Sequence, residues 1–196
     1  MYDLSDEGRA KMRADQAAAR RRAVGRKGLV LVHTGDGKGK TTAALGLVMR
    51  AWGRGMRVIV LQFIKQATGN WGEVRAAKKM GIEMVSLGGG FTWESENVEK
   101  DRALAQKGWA RCRAAIESGE YDLVVLDEIT YCFNFGWLDI DEVLGVLKAR
   151  PAGQHVVLTG RDAPAALAEH ADLVTEMREV KHPYHAGVLA QKGIEF

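Results

Sequence analysis

Short apolar runs alternate with longer stretches in which apolar residues recur at helical spacing. The runs are Leu29–His33, Arg57–Phe63, Ile82–Ser86, Leu123–Leu126, His155–Thr159 and Leu173–Met177. Their length suits buried strands. Helical patterns fall between them, over Thr41–Trp52, Glu73–Met80, Val98–Glu117, Ile140–Leu147 and Ala163–His170. Gly53 and Gly55 close the first helix, Gly81 the second, and Pro151 follows the fourth. Strand and helix in strict alternation predict a mostly parallel sheet with helices on both faces. Two stretches break the rhythm. Gly88-Gly89-Gly90 opens a loop, and Lys181–Phe196 reads as irregular chain that packs over the carboxyl edge of the sheet. Ligands of open α/β sheets bind at that edge.

At 196 residues, with 46% hydrophobic and 27% charged residues, the chain fits one soluble α/β domain with a sizeable core. No apolar stretch nears the roughly 20 residues that cross a bilayer, and the N-terminus has no secretory h-region. Two cysteines, Cys112 and Cys132, do not make a disulfide framework and read as packed thiols. A cytoplasmic setting is the simplest expectation. Charge divides the chain unevenly. Residues 1–28 carry eight Lys/Arg and four Asp/Glu, a net +4, against 20 and 21 in the remainder, a net −1. We therefore divide it into a basic helical arm, residues 1–27, and a domain over residues 28–196. The run Arg20-Arg21-Arg22 lacks the interleaved aromatics of a nucleic-acid patch. It reads first as a solvated helix or mobile arm, with closure over an anionic ligand as a further use.

The chemistry begins at Thr34–Thr42, T-G-D-G-K-G-K-T-T, between the first strand and its helix. Glycine-rich backbone at such a junction turns N–H groups toward phosphate oxygens. Gly35, Asp36, Gly37, Lys38, Gly39, Lys40, Thr41 and Thr42 are the expected ATP-binding loop. Lys40 is placed to reach the terminal phosphates, and Thr41 or Thr42 to offer a hydroxyl to Mg²⁺. Thr34 stands where the usual pattern has its first glycine. The fold expected is thus that of the P-loop nucleotide-binding proteins, RecA-like in outline. The strand Leu123–Leu126 delivers Asp127 and Glu128 at its end, a metal-binding pair beside such a loop. Arg161 follows the strand ending at Thr159 and is placed either to pair with phosphate or to pair with a neighbouring acid such as Asp162. Phe91 and Trp93, after the three glycines, lie on one face of extended chain. They suit either a flat apolar ligand or partner, or anchorage of their own loop. His182 and His185 lack the acid or cysteine neighbours of a metal site.

Taken together, T-G-D-G-K-G-K-T-T, G-F-T-W-E, V-V-L-D-E-I-T-Y, L-T-G-R and K-H-P-Y-H-A-G-V-L-A-Q-K-G-I-E-F resemble the P-loop ATP:corrinoid adenosyltransferases, in order from about Gly28 to Phe196. Thr34 is that family's own variant of the loop. The resemblance implies transfer of the 5′-deoxyadenosyl group of ATP to the Co(I) centre of cob(I)alamin or another corrinoid, with triphosphate leaving whole. It implies that Lys40 and Arg161 grip the phosphates, and that Thr41, Asp127 and Glu128 hold Mg²⁺ or Mn²⁺. It also places Phe91 and Trp93 against the corrinoid's lower face and His182 near the site. A homodimer, a flavoprotein or other reductant supplying Co(I), and no nucleic-acid or membrane partner complete the expectation. The alternatives on the same scaffold are a P-loop kinase and a nucleic-acid-stimulated ATPase, which would release ADP instead.

Overall fold

The computed structural model describes residues 5–21, 25–66, 71–89 and 98–195. Six strands form one sheet: β1 (Val30–Thr34), β2 (Val58–Gln66), β3 (Glu83–Gly88), β4 (Leu123–Asp127), β5 (His155–Thr159) and β6 (Leu173–Glu176). Their order across the sheet is β3-β2-β4-β5-β1-β6. Every recorded pairing is parallel. All six carboxyl ends therefore share one edge.

The helices that return the chain are α2 (Lys40–Trp52), α3 (Gly72–Met80), α4 (Val98–Glu117), α5 (Thr130–Asn134), α6 (Ile140–Ala149) and α7 (Ala165–His170). They follow α1 (Asp6–Arg21) of the basic arm, a largely exposed helix. Strand periodicity sorts the core into two layers. Val30, Val32, Ile59, Leu61, Val124, Leu126, Val156 and Leu158 pack on one face with Trp109, Ile116 and Leu147 of the helices. Val58, Val60, Leu123, Val125 and Val157 pack on the other with Ala44 and Val48 of α2 and Ala77 of α3. Central strands covered on both sides lose the apolar-polar alternation, which is why β4 reads as a continuous apolar run and is buried throughout. Each fully buried aliphatic side chain contributes roughly 1.5–3 kcal/mol.

The expected elements are present with small shifts at their ends. β2 continues to Gln66, beyond the expected Phe63. α5 was not expected: five residues, T-Y-C-F-N, are too few for a periodic signal. The tail from Lys181 is irregular apart from one short 3-10 turn, Pro183–Ala186. Lys27 forms an ion pair with Asp172, and Gly28 N–H donates to the Ala152 carbonyl at 2.7 Å. Arg150 Nη2 also donates to the Gly28 carbonyl at 2.9 Å, so residues 27 and 28 are tied to the turns that precede β5 and β6.

Candidate nucleotide-binding active site

The phosphate loop is shaped by what lies behind it. Gly35 has φ 92°, in the left-handed region, and a Cβ there would come within 2.5 Å of the Met177 carbonyl oxygen. A Cβ on Gly37 would come within 2.7 Å of the Arg178 backbone. Gly37 N–H donates to the Met177 carbonyl, and Met177 N–H to that of Thr34, at 2.7 and 2.8 Å. Residues 177 and 178, just past β6, thus brace the loop, and only glycine fits at positions 35 and 37. Thr34 uses its side chain: its hydroxyl oxygen accepts the Ala163 N–H at 3.1 Å, tying the loop to the segment after Arg161. Gly39, at φ 111°, turns the chain into α2.

Lys40 folds back into this loop, its Nζ donating to the Gly35 and Gly37 carbonyls at 2.6 and 2.8 Å. Burial, and then the nearby Arg161 charge, lower its pKa. A phosphate in the loop would relieve both effects. Asp36, Lys38 and Thr42 are exposed. Lys38 pairs with Glu195 of the tail, and that contact holds the Glu195 carboxyl below its ordinary pKa.

Asp127, fully buried, is the centre of a polar cluster. Its Oδ1 accepts from the hydroxyls of Thr41 (2.9 Å) and Thr159 (2.7 Å), and its Oδ2 from Gln62 Nε2 (3.0 Å). Three strands and α2 therefore converge on one carboxylate. Glu128 follows with φ 63°, its N–H donating to Thr159 Oγ1 at 2.9 Å. Among the described residues nothing hydrogen-bonds its carboxylate. Burial, and then the adjacent Asp127, push its pKa up to about 7. No group of three His, Cys, Asp or Glu side chains suited to a metal occurs among the described residues. The hard oxygens of Thr41 and Glu128 fit a cation that takes its remaining ligands from phosphate and water.

Arg161 is exposed, and among the described residues it makes no ion pair, with Asp162 or any other acid. Its carbonyl accepts from Thr130 Oγ1 (2.6 Å) and Asn134 Nδ2 (3.2 Å). Gly160, at φ 140°, lies against Thr130 so closely that a Cβ would sit 1.9 Å from its Oγ1. α5 thus fixes the turn that carries Arg161. His182 is half-buried on the tail, its Nδ1 accepting the Tyr184 N–H at 3.1 Å. Phe91 and Trp93 lie outside the described residues. The chain reaches that segment from the end of β3, at the same sheet edge as the phosphate loop.

Reading the sequence did not single out Gln62, Thr159, Thr130 or the brace at residues 177–178. Thr159 and Thr130 stood inside recognised motifs, but their roles depend on which strands are neighbours. Gln62 carries a usable signal, a polar side chain within an apolar strand.

The fold itself has a solved likeness. The flagellar accessory protein FlaH of Methanocaldococcus jannaschii superposes with a TM-score of 0.52, at 10% identity, over 89% of this chain and 78% of its own. The sequence comparisons reach further. The corrinoid adenosyltransferase of Pseudomonas aeruginosa is 45% identical over 172 residues, 87% of this chain and 84% of that protein. That of Escherichia coli K12 is 40% identical over 190 residues, 96% and 94% of the two chains. Corrinoid adenosyltransferase CobA of Salmonella typhimurium is 43% identical over 87% of this chain and 86% of its own length. The profile for ATP:corrinoid adenosyltransferase BtuR/CobO/CobP matches residues 26–196, which takes in the phosphate loop, Asp127-Glu128, Arg161 and the tail. The chain belongs to the BtuR/CobO/CobP family of ATP:corrinoid adenosyltransferases.

Proposed function

We infer that this protein transfers the 5′-deoxyadenosyl group of ATP to the cobalt of a reduced corrinoid and releases triphosphate. Membership of the family carries the reading. The braced loop, with Lys40 inside it and Asp127 holding Thr41, supports it with a place for the triphosphate. Cobalt supplies the electron pair of the new Co–C bond, and the C5′–O5′ pair departs with the triphosphate. Charge grows on the leaving group, so its donors lower the barrier more than contacts made equally in the ground state. Loop amides, Lys40 and Arg161 are those donors in our assignment, with Asp36, Lys38 and Thr42 at the rim. No water needs activation.

Thr41 and Glu128 would hold Mg²⁺ or Mn²⁺, with Asp127 fixing the Thr41 hydroxyl. A bound divalent cation neutralises phosphate charge and orients the leaving group. Phe91 and Trp93 would meet the corrinoid's lower face and exclude its axial ligand, which favours Co(I), with His182 nearby. The assembly we propose is a cytoplasmic homodimer served by a flavoprotein or other reductant. Among the described residues no helix is long and apolar enough to cross a membrane.

The test is anaerobic incubation with ATP, Mg²⁺ and chemically reduced cob(I)alamin, followed by visible spectra and phosphate analysis. A light-sensitive alkylcobalamin with one triphosphate per turnover is expected, and Lys40→Ala should slow it about 10²–10³-fold, the range for losing one preorganised donor. ADP without alkylcobalamin would replace this reading with phosphoryl transfer.

A further inference from the structure

Lys65, on the carboxyl-end extension of β2, has no part in the site described so far. β2 pairs with β4 only as far as Gln62 opposite Asp127, then runs on past the end of β4, still beside β3 with Gln66 opposite Gly88. Lys65 lies on that extension. It is ion-paired to Glu73 of α3, and both side chains are only 17% exposed. Its Nζ also stands 5.0 Å from the centre of the Trp71 ring. A half-buried ion pair is an expensive way to dock α3 on β2, since apolar residues of the same size would serve at least as well. Its position at the ligand edge suggests a different use.

The sheet order sets where along that edge Lys65 falls. From β1, which feeds the phosphate loop, the edge passes β5 with Arg161, β4 with Asp127-Glu128, β2 with Lys65, and β3 with the loop beginning Gly88-Gly89. β1 and β2 are three strand spacings apart, roughly 14 Å. On the adenosyltransferase reading, on which this inference rests, the terminal phosphates lie in the loop. The corrinoid faces the segment after β3. The nucleotide must then run along the edge from β1 toward β2, with its ribose end beside Lys65.

We propose that Lys65 is a further catalytic residue, donating a hydrogen bond to the phosphate nearest the ribose, the group that receives the electron pair when the C5′–O5′ bond breaks. No proton is transferred. The Co–C bond forms as C–O breaks, and Lys65 meets the charge that appears on the departing oxygen. Glu73 and the Trp71 face are positioning groups that hold the ammonium at this height before ATP arrives.

The experiment measures single-turnover rates under anaerobic conditions with pre-reduced cob(I)alamin, alongside ATP affinity by titration and thermal melting. Lys65→Met should lower the rate about 100-fold, the scale of one lost transition-state donor, while changing ATP affinity less than about threefold. Lys65→Arg should recover most of the rate. Glu73→Gln leaves the cation in place and should cost less than about tenfold. A wild-type-like rate in Lys65→Met overturns the proposal. So do equal losses in Lys65→Met and Glu73→Gln, which would reduce the pair to a structural tie. If Lys65→Met melts far below wild type, the Lys65→Arg and Glu73→Gln rates decide. A wild-type enzyme that forms no alkylcobalamin would instead sink the reading beneath it.

Discussion

Glu128 carries an energetic cost to which the proposed metal role gives a use. Its backbone sits at φ 63°, where a non-glycine residue is strained, and burial beside Asp127 pushes its carboxyl up to about pKa 7. A carboxyl whose pKa is raised on folding contributes full stability below its unfolded value, near 4.3. That contribution is lost as pH rises through about 7, because the unfolded chain ionises more readily. The metal-free protein should therefore melt higher at pH 5.5 than at pH 8 on this account, other groups aside. Glu128→Gln removes the charge and keeps the shape. At pH 8 without metal it should melt above wild type, by roughly 2–4 °C for each kcal/mol relieved in a chain of this size. The same variant should lose the extra thermal stability that Mg²⁺ with ATP gives the wild type. Melting curves at the two pH values, with and without both ligands, check this. A variant no more stable than wild type at pH 8 would remove the electrostatic cost from the account. Asp127 is buried more deeply, yet its three donors compensate it. Two adjacent carboxylates are thus set apart by their partners, one structural and one available.

At the scale of elements, the sheet was legible because each strand is a short apolar run set between helical patterns. The phosphate loop was legible because its backbone needs are written as glycines. The device that aims Arg161 was not. α5 spans five residues, and its work is done by Thr130 and Asn134, whose donors meet a carbonyl 31 and 27 residues away. Local pattern carries no trace of such a contact. The same holds for the Met177–Arg178 brace, which explains Gly35 and Gly37 only once β6 is seen to lie beside β1. Gly160 joins these observations into a prediction. A methyl there meets both the Thr130 hydroxyl at 1.9 Å and a φ of 140° that side chains avoid. Gly160→Ala should displace α5 and swing Arg161 away from the loop. ATP affinity should fall about tenfold or more. Thr130→Ala makes room for the new methyl, so the double variant should bind ATP better than Gly160→Ala alone. Titration of ATP into the three variants checks it, and strictly additive losses would refute the steric coupling.

Across the whole molecule, strand order spaces the proposed subsites along one sheet edge. On the proposed function the phosphate end falls after β1, the metal-binding Glu128 after β4, and the approach to the corrinoid after β3. The parallel arrangement puts all of these at one edge, and the crossover order spaces them. The tail closes the phosphate side, through the Lys38–Glu195 pair and the 177–178 brace. The basic arm is joined to the sheet at Lys27 and Gly28, and the family match begins at residue 26. Its α1 leaves only Gly8 buried among its described residues, so the core draws little from it. The arm carries a net positive charge against a near-neutral body, and we propose that it serves ligand handling. Deleting residues 1–25 should therefore leave the melting temperature within about 3 °C of wild type, less than roughly 1–1.5 kcal/mol for a chain of this length. ATP affinity should be unchanged within a factor of two. If the arm closes over the corrinoid, saturation by cob(I)alamin should demand several-fold more corrinoid in the truncated protein. Loss of ATP binding in the truncated protein would mean that the arm braces the phosphate loop, and unchanged corrinoid saturation would leave the arm no part in either substrate's site.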